Sequence, residues 1–245
     1  MNGRIICGLQ PVREAIRADR AKLARVMVLE SRSAEASPQL EALARFASDH
    51  GARVERVARS ELDRVSRGVR HQGAVAFASE LRVIPLRDVA RGDRALVVAL
   101  DEIQDPQNFG AAVRSAVAMN ASAVVWPEHR SAPLSPATFR ASAGAIEHAT
   151  LCRVASLPPA LESLREGGLF VVGLDAHGPT SIDRVDLARP VAIVVGAEGK
   201  GLRKTVKRAC DTLARLPMPG PIESLNASVA VAIALYECLR QRGAP

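Results

Sequence analysis

The chain has 245 residues, of which 48% are apolar and 24% charged. That supports a buried core and excludes a disordered or low-complexity protein. There are 33 basic and 26 acidic side chains, giving a net charge of +7, and no apolar run approaches the roughly 20 residues of a membrane span. The opening MNGRIICGLQPVREAIR shows no apolar core ahead of a cleavage site, so no secretory signal is expected. Cys7, Cys152, Cys210 and Cys238 are scattered without a CxxC, and the histidines form neither HxH nor HExxH. A reducing, cytoplasmic setting and a metal-free reaction are therefore expected.

In chain order, residues 1–78 read as a small α/β unit. A helix is predicted over 11–18, a strand over 26–29, a helix over 38–47, and strands over 54–57 and 74–78. Residues 79–94 mix Pro85, Gly92 and several charges, and read as a linker. From residue 95 to 245 the pattern changes. Short valine-rich runs at 95–100, 123–126, 169–174, 191–195 and 212–216 read as strands buried on both faces. Helical patterns lie between them, at 109–119, 136–149, 159–166 and 203–209, and a long one over 226–242 follows. The alternation implies an α/β domain with a mostly parallel sheet. The basic excess sits early: residues 1–90 hold 16 basic and 11 acidic side chains, as expected of a part that grips a polyanion.

Ligands of parallel sheets bind beyond the carboxyl ends of the strands, and three loops stand out there. The first runs from Asp101 to Gly110 and places Asn108 as an expected helix N-cap, with Arg114 following on the helix among small residues. The second, Gly196-Ala197-Glu198-Gly199-Lys200-Gly201, lets backbone N–H groups approach a ligand and carries a carboxylate. Its spacing is not that of a P-loop, and a late strand precedes it, unlike the glycine loop of dinucleotide-binding folds. The third, from Leu216 to Ser228, is dense in Pro and Gly. It launches an apolar helix whose start carries Ser224, Asn226 and Ser228. Residues 229–235 are apolar all round, as in a helix buried in a core or against a second subunit.

The succession NxGxxxR, GAEGKG and LPMPGPIESLNASVA resembles the three motifs of the TrmH-like branch of the SPOUT RNA methyltransferases, over the region from about residue 95 onward. GLQPVREAI and RHQGAVA in the first part resemble a small ribosomal-protein-like RNA-binding domain. Such a domain precedes the catalytic domain in bacterial 23S rRNA guanosine 2′-O-methyltransferases. The resemblance implies a C-terminal trefoil knot, S-adenosylmethionine as cofactor, and a homodimer formed through the last helix. It maps the cofactor pocket to Gly196, Leu216, Met218 and Leu225, and the polar motif positions to Asn108, Arg114, Glu198, Ser224 and Asn226. Arg114 takes the central part in that mapping. Because arginine hardly deprotonates, electrostatic stabilisation suits it better than a base role. Arg4, Arg13, Arg70 and His71 are the expected RNA contacts. The implied activity is 2′-O-methylation of a guanosine in 23S rRNA. The alternatives are a relative acting on tRNA or another rRNA site, and a non-catalytic RNA-binding protein.

Overall fold

The computed structural model describes residues 3–18, 23–30, 37–89, 92–222 and 224–243. The first elements are β1 (Arg4–Cys7), α1 (Leu9–Arg17), β2 (Arg25–Leu29), α2 (Pro38–Asp49), β3 (Arg53–Val57), α3 (Arg59–Ser66) and β4 (Ala74–Ala78). They are followed by β5 (Leu96–Asp101), α4 (Pro106–Ala118), β6 (Ala123–Pro127), α5 (Pro136–Ala141), β7 (Leu151–Val154), α6 (Leu157–Glu166) and β8 (Phe170–Leu174). Then come β9 (Thr180–Ser181), β10 (Val191–Gly196), α7 (Lys204–Ala209), β11 (Thr212–Arg215) and α8 (Ala227–Gln241). The chain divides into two compact units, Met1–Arg82 with Leu134–His148, and Val83–Pro133 with Ala149–Pro245.

The first unit is built on a four-stranded sheet of order β1-β4-β2-β3, with β2 and β3 parallel and the other pairs antiparallel. One face packs Ile6, Val26, Val28 and Ala76 against Val12, Ile16, Leu43 and Ala47 of α1 and α2. The opposite face packs Cys7, Met27 and Val75 against Leu62 of α3. The helix predicted over 136–149 is shorter than expected. α5 stops at Ala141, Ala143 and Gly144 turn through positive φ, and Ala145–Glu147 forms a 3-10 turn. This segment groups with the first unit, where α5 packs on β1.

Two expected RNA contacts are buried here. The Arg4 guanidinium, 7% exposed, grips the Glu147 carboxylate with two N–H groups, one of them at 2.6 Å, and donates to the Ser79 carbonyl at 2.7 Å. His71, 5% exposed, accepts from the Gly73 N–H on Nδ1, so its Nε2 proton faces Asp63 at 2.9 Å. Both side chains have their partners inside the unit.

The second unit carries a seven-stranded sheet of order β7-β6-β5-β10-β8-β11-β9, parallel at every pairing. β5 and β10 are buried along their whole length, as their unbroken apolar runs require of central strands. In the stretch read as a linker, Val83 pairs with Leu151 and Leu86–Asp88 forms a 3-10 turn. Because all the strands run the same way, the loops after Asp101, Leu174, Gly196 and Arg215 leave the sheet at one edge. α8 packs on α4 and β10. Its end is pinned by Arg242, which donates to the carbonyls of Arg94, Ala95, Leu187 and Arg189 at 2.8–3.2 Å.

Removing one partner of a buried ion pair strands the other charge in a low-dielectric interior. Arg4→Ala is therefore expected to cost about 3–5 kcal/mol of unfolding free energy in urea titrations. Removing both charges, Arg4→Met with Glu147→Leu, should cost clearly less. A loss below about 1 kcal/mol for Arg4→Ala would contradict the assignment.

Candidate active site

The carboxyl edge of β8, β10 and β11 holds a pocket of about 340 Å³ in the second unit. Its apolar wall includes Leu174, Val195, Leu216, Met218 and Leu225. Polar groups enter it from Glu198, Ser224, Asp175 and Lys207. Gly196, at the end of β10, lies where the glycine loop turns back on itself. A Cβ there would sit 2.2 Å from the Gly201 backbone, so no larger residue fits. Ala197 and Gly201 close the turn with a backbone hydrogen bond of 2.8 Å. The expected cofactor positions Gly196, Leu216, Met218 and Leu225 thus line one cavity.

Beside it, three polar motif residues from three loops form one hydrogen-bonded cluster. Asn226 Nδ2 donates to Asn108 Oδ1 at 2.7 Å and to Glu198 Oε2 at 3.1 Å. Asn108 Nδ2 donates to the same carboxylate oxygen at 3.3 Å. The Asn226 Oδ1 atom accepts from the Ser228 N–H at 2.9 Å and from its hydroxyl at 2.7 Å, capping α8. One side chain therefore terminates a helix and joins the first and second loops to the third.

The N-cap of α4 is not Asn108, as expected, but Asp105. Its carboxylate accepts from the N–H groups of Gln107 and Asn108, and Pro106 occupies the first helical position. Asn108 falls in the first turn, and its amide is free to reach Glu198. An ion pair supports the same edge. The buried Asp101, at the end of β5, accepts from Arg203 Nε at 2.8 Å and from the Arg203 backbone N–H at 3.0 Å. That bond fixes the start of α7 directly after the glycine loop.

Arg114 lies on α4, six residues beyond Asn108. It is exposed, and among the described residues its side chain has no hydrogen-bond or ion-pair partner. Ser224 is exposed at the pocket wall, and Glu223 beside it lies outside the described residues. Arg13 is half-buried on α1 and Arg70 is exposed in the first unit.

Sequence reasoning missed Asp175, His177 and Lys207, which also line the pocket. The Lys207 ammonium pairs with the Asp175 carboxylate, which also accepts from the His177 N–H at 2.9 Å. Burial opposes charge on Asp175, but the Lys207 hydrogen bond and the His177 N–H outweigh it and hold the carboxyl below its usual range. The available signal was Asp175 itself, which follows the apolar run of β8 at the same sheet edge. Burial pushes the Cys7 and Cys152 thiols up to about 11, and the Cys210 and Cys238 thiols up to about 12, which leaves little thiolate at neutral pH. Among the described residues no group of three or more His, Cys, Asp or Glu is placed to hold a metal, and no helix is long and apolar enough to cross a membrane.

Residues 95–236 match the SpoU rRNA Methylase family, and residues 5–83 match the family described as RNA 2′-O ribose methyltransferase substrate binding. The chain belongs to the SpoU methylase family. It is 40% identical over 97% of its length to an uncharacterized tRNA/rRNA methyltransferase of Mycobacterium sp. strain KMS, covering 76% of that protein. Among solved structures it resembles an AdoMet-bound rRNA methyltransferase from Sinorhizobium meliloti. The TM-score is 0.79 at 27% identity, over 97% of this chain and 87% of that one. It also resembles the SpoU methyltransferase AviRb from Streptomyces viridochromogenes in complex with AdoMet. There the TM-score is 0.80 at 26% identity, over 98% and 90% of the two chains. As a SpoU member, this chain is an RNA methyltransferase, and the parallel sheet and substrate-binding unit agree with that family.

The two functions of Asn226 are separable. Asn226→Ala is expected to lose the cap, about 1 kcal/mol of stability, and to lower methyl transfer about 10²-fold through loop misplacement. Asn226→Asp keeps an acceptor for Ser228 but sets a carboxylate against Glu198. Its stability should therefore exceed that of the alanine variant while its activity stays low. Thermal unfolding and methyl-transfer rates on an RNA substrate check both, and an Asp variant of native activity would contradict the role of the Asn226 amide.

Proposed function

We propose that the chain transfers a methyl group from S-adenosylmethionine to the ribose 2′-oxygen of a guanosine in 23S rRNA. The observation that carries this reading is the adjacency of the pocket at Gly196, Leu216, Met218 and Leu225 to the Asn108–Glu198–Asn226 cluster. When bound, S-adenosylmethionine would supply an electrophilic methyl group to the ribose 2′-oxygen, the sulfonium leaving as a neutral thioether and the hydroxyl proton passing to solvent.

The residues present fit that cofactor. Leu216, Met218 and Leu225 offer an apolar surface for a purine ring, and the glycine loop offers backbone groups without side chains in the way. Lys207 keeps donors beyond the one on Asp175, suited to a hydroxyl or carboxylate. The amide cluster holds the three loops in register, so that the positioning needed for in-line transfer is set before RNA arrives. The Arg114 guanidinium offsets the negative charge that develops on the 2′-oxygen or lies on a neighbouring phosphate. Ser224, exposed at the pocket wall, donates to the ribose.

The basic excess of the first unit supports RNA binding there, with Arg13 and Arg70 as its cations. A cytoplasmic setting belongs to the same reading, supported by four cysteines left as free thiols. Homodimer formation through α8 draws support from an exposed stripe of Val229, Ile233 and Tyr236 on a helix read as apolar all round. The trefoil knot of the resembled enzymes belongs to the same reading.

The test is a map of 2′-O-methyl groups in 23S rRNA from cells lacking this protein. One guanosine is expected to lose its mark and to regain it with the wild-type chain but not with Arg114→Ala. The purified Arg114→Ala protein should turn over about 10²–10³-fold more slowly while binding S-adenosylmethionine with unchanged affinity by calorimetry. An unchanged methylation map, or full turnover by Arg114→Ala, would overturn the proposal.

A further inference from the structure

The segments GLQPVREAI and RHQGAVA stand at opposite ends of the first unit's main stretch, and methyl transfer in the second unit assigns them no task. In the structure they meet at a second pocket, of about 230 Å³. Leu9, Gln10 and Arg13 of α1 line it together with Gln72, from the turn before β4, and Gln39, at the start of α2. Among the described residues, none of the three glutamine amides nor the Arg13 guanidinium has a hydrogen-bond or ion-pair partner. Polar groups gathered at one concave site with no internal partners are available to a ligand.

The backbone is bent to build this site. Gln72 adopts φ 52°, a left-handed conformation that a non-glycine residue takes only at a cost. Its Oε1 lies over Gly8, where φ is 109° and an added Cβ would stand 3.2 Å from that oxygen. A glycine at position 8 therefore leaves the Gln72 amide free to lie at the head of α1.

The chemistry of the lining selects the ligand. An amide presents a donor and an acceptor side by side, the combination that pairs with the edge of a nucleobase. Neutral amides add nothing to general attraction for phosphate, so their convergence points to reading a base. Leu9 supplies an apolar surface against which a base can lie, and the Arg13 fork suits a phosphate oxygen pair. Bases are open to such reading where RNA is unpaired. We infer that this pocket receives one unpaired nucleotide of the RNA substrate, its base edge bonded by Gln10, Gln39 and Gln72 and its phosphate by Arg13. The inference rests on the reading of the chain as an rRNA-modifying enzyme and gives its first unit a specific point of contact.

The test uses the full-length protein and protein-free 23S rRNA transcript, with affinity measured across a salt series. Gln10, Gln39 and Gln72 are exposed, so their replacement should leave the unit folded. Gln10→Ala with Gln72→Ala is expected to weaken binding about 10- to 100-fold with the salt slope unchanged. Arg13→Ala is expected to lower that slope by about one. Chemical footprinting should show an unpaired base protected by the wild-type protein and exposed with the glutamine variant. S-adenosylmethionine affinity should stay the same in all of them. If the wild-type chain binds and methylates the rRNA while the glutamine variant keeps its affinity and footprint, the pocket assignment falls and the enzymatic reading stands. If the wild-type chain neither binds nor methylates it, both fall.

Discussion

The candidate active site depends on the hydrogen bonds of one amide. Asn226 has a single carbonyl oxygen and a single NH₂ group, and the structure uses both in full. The oxygen terminates α8, and the NH₂ holds Asn108 and Glu198. No other common side chain of that size offers an acceptor and two donors at once. An aspartate keeps the cap and loses the bridge, and a serine is too short to span the two. The identity of one residue at the start of one helix thus sets whether three loops form a site.

That interaction works only because the rest of the second unit delivers the loops to it. A sheet with antiparallel central strands would send the loops after β5 and β10 to opposite edges. Parallel pairing of β5, β10, β8 and β11 puts all four exits on one side. α8 is held at both ends, by the Asn226 cap at its start and by the four carbonyls on Arg242 at its finish. Asp101 and Arg203 add a brace across the mouth of the glycine loop. These bonds tie the three loops to one another and to the edge of the sheet.

Much of this was legible in the sequence, because buried parallel strands write themselves as continuous valine-rich runs, and the loops that follow them are where ligands sit. β5, β6, β8, β10 and β11 were each found that way, and Asn108, Glu198 and Asn226 of the three loops share one hydrogen-bonded cluster, without Arg114 or Ser224 among its bonds. What was missed has physical reasons. β7 and β9 are short edge elements with mixed polarity, and α3 buries little beyond Leu62, so neither pattern rises above its surroundings. Asp105-Pro106 is the stronger start signal for α4 by its own chemistry, but the motif drew attention to Asn108. Arg4 and His71 were read as surface groups because a sequence does not reveal a partner as distant as Glu147, or a backbone N–H folded onto a ring nitrogen. Asp175 and Lys207 come from separate elements and pair only through the fold, so no spacing announces them.

The most direct measurement is a crystal structure of the full-length chain with S-adenosylhomocysteine. The expected result is a nucleoside against Leu216, Met218 and Leu225, beside the Gly196 turn, with the Asn226 amide still bonded to Asn108 and Glu198. A ligand bound elsewhere, or a filled pocket with Asn226 turned away from both partners, would contradict the account.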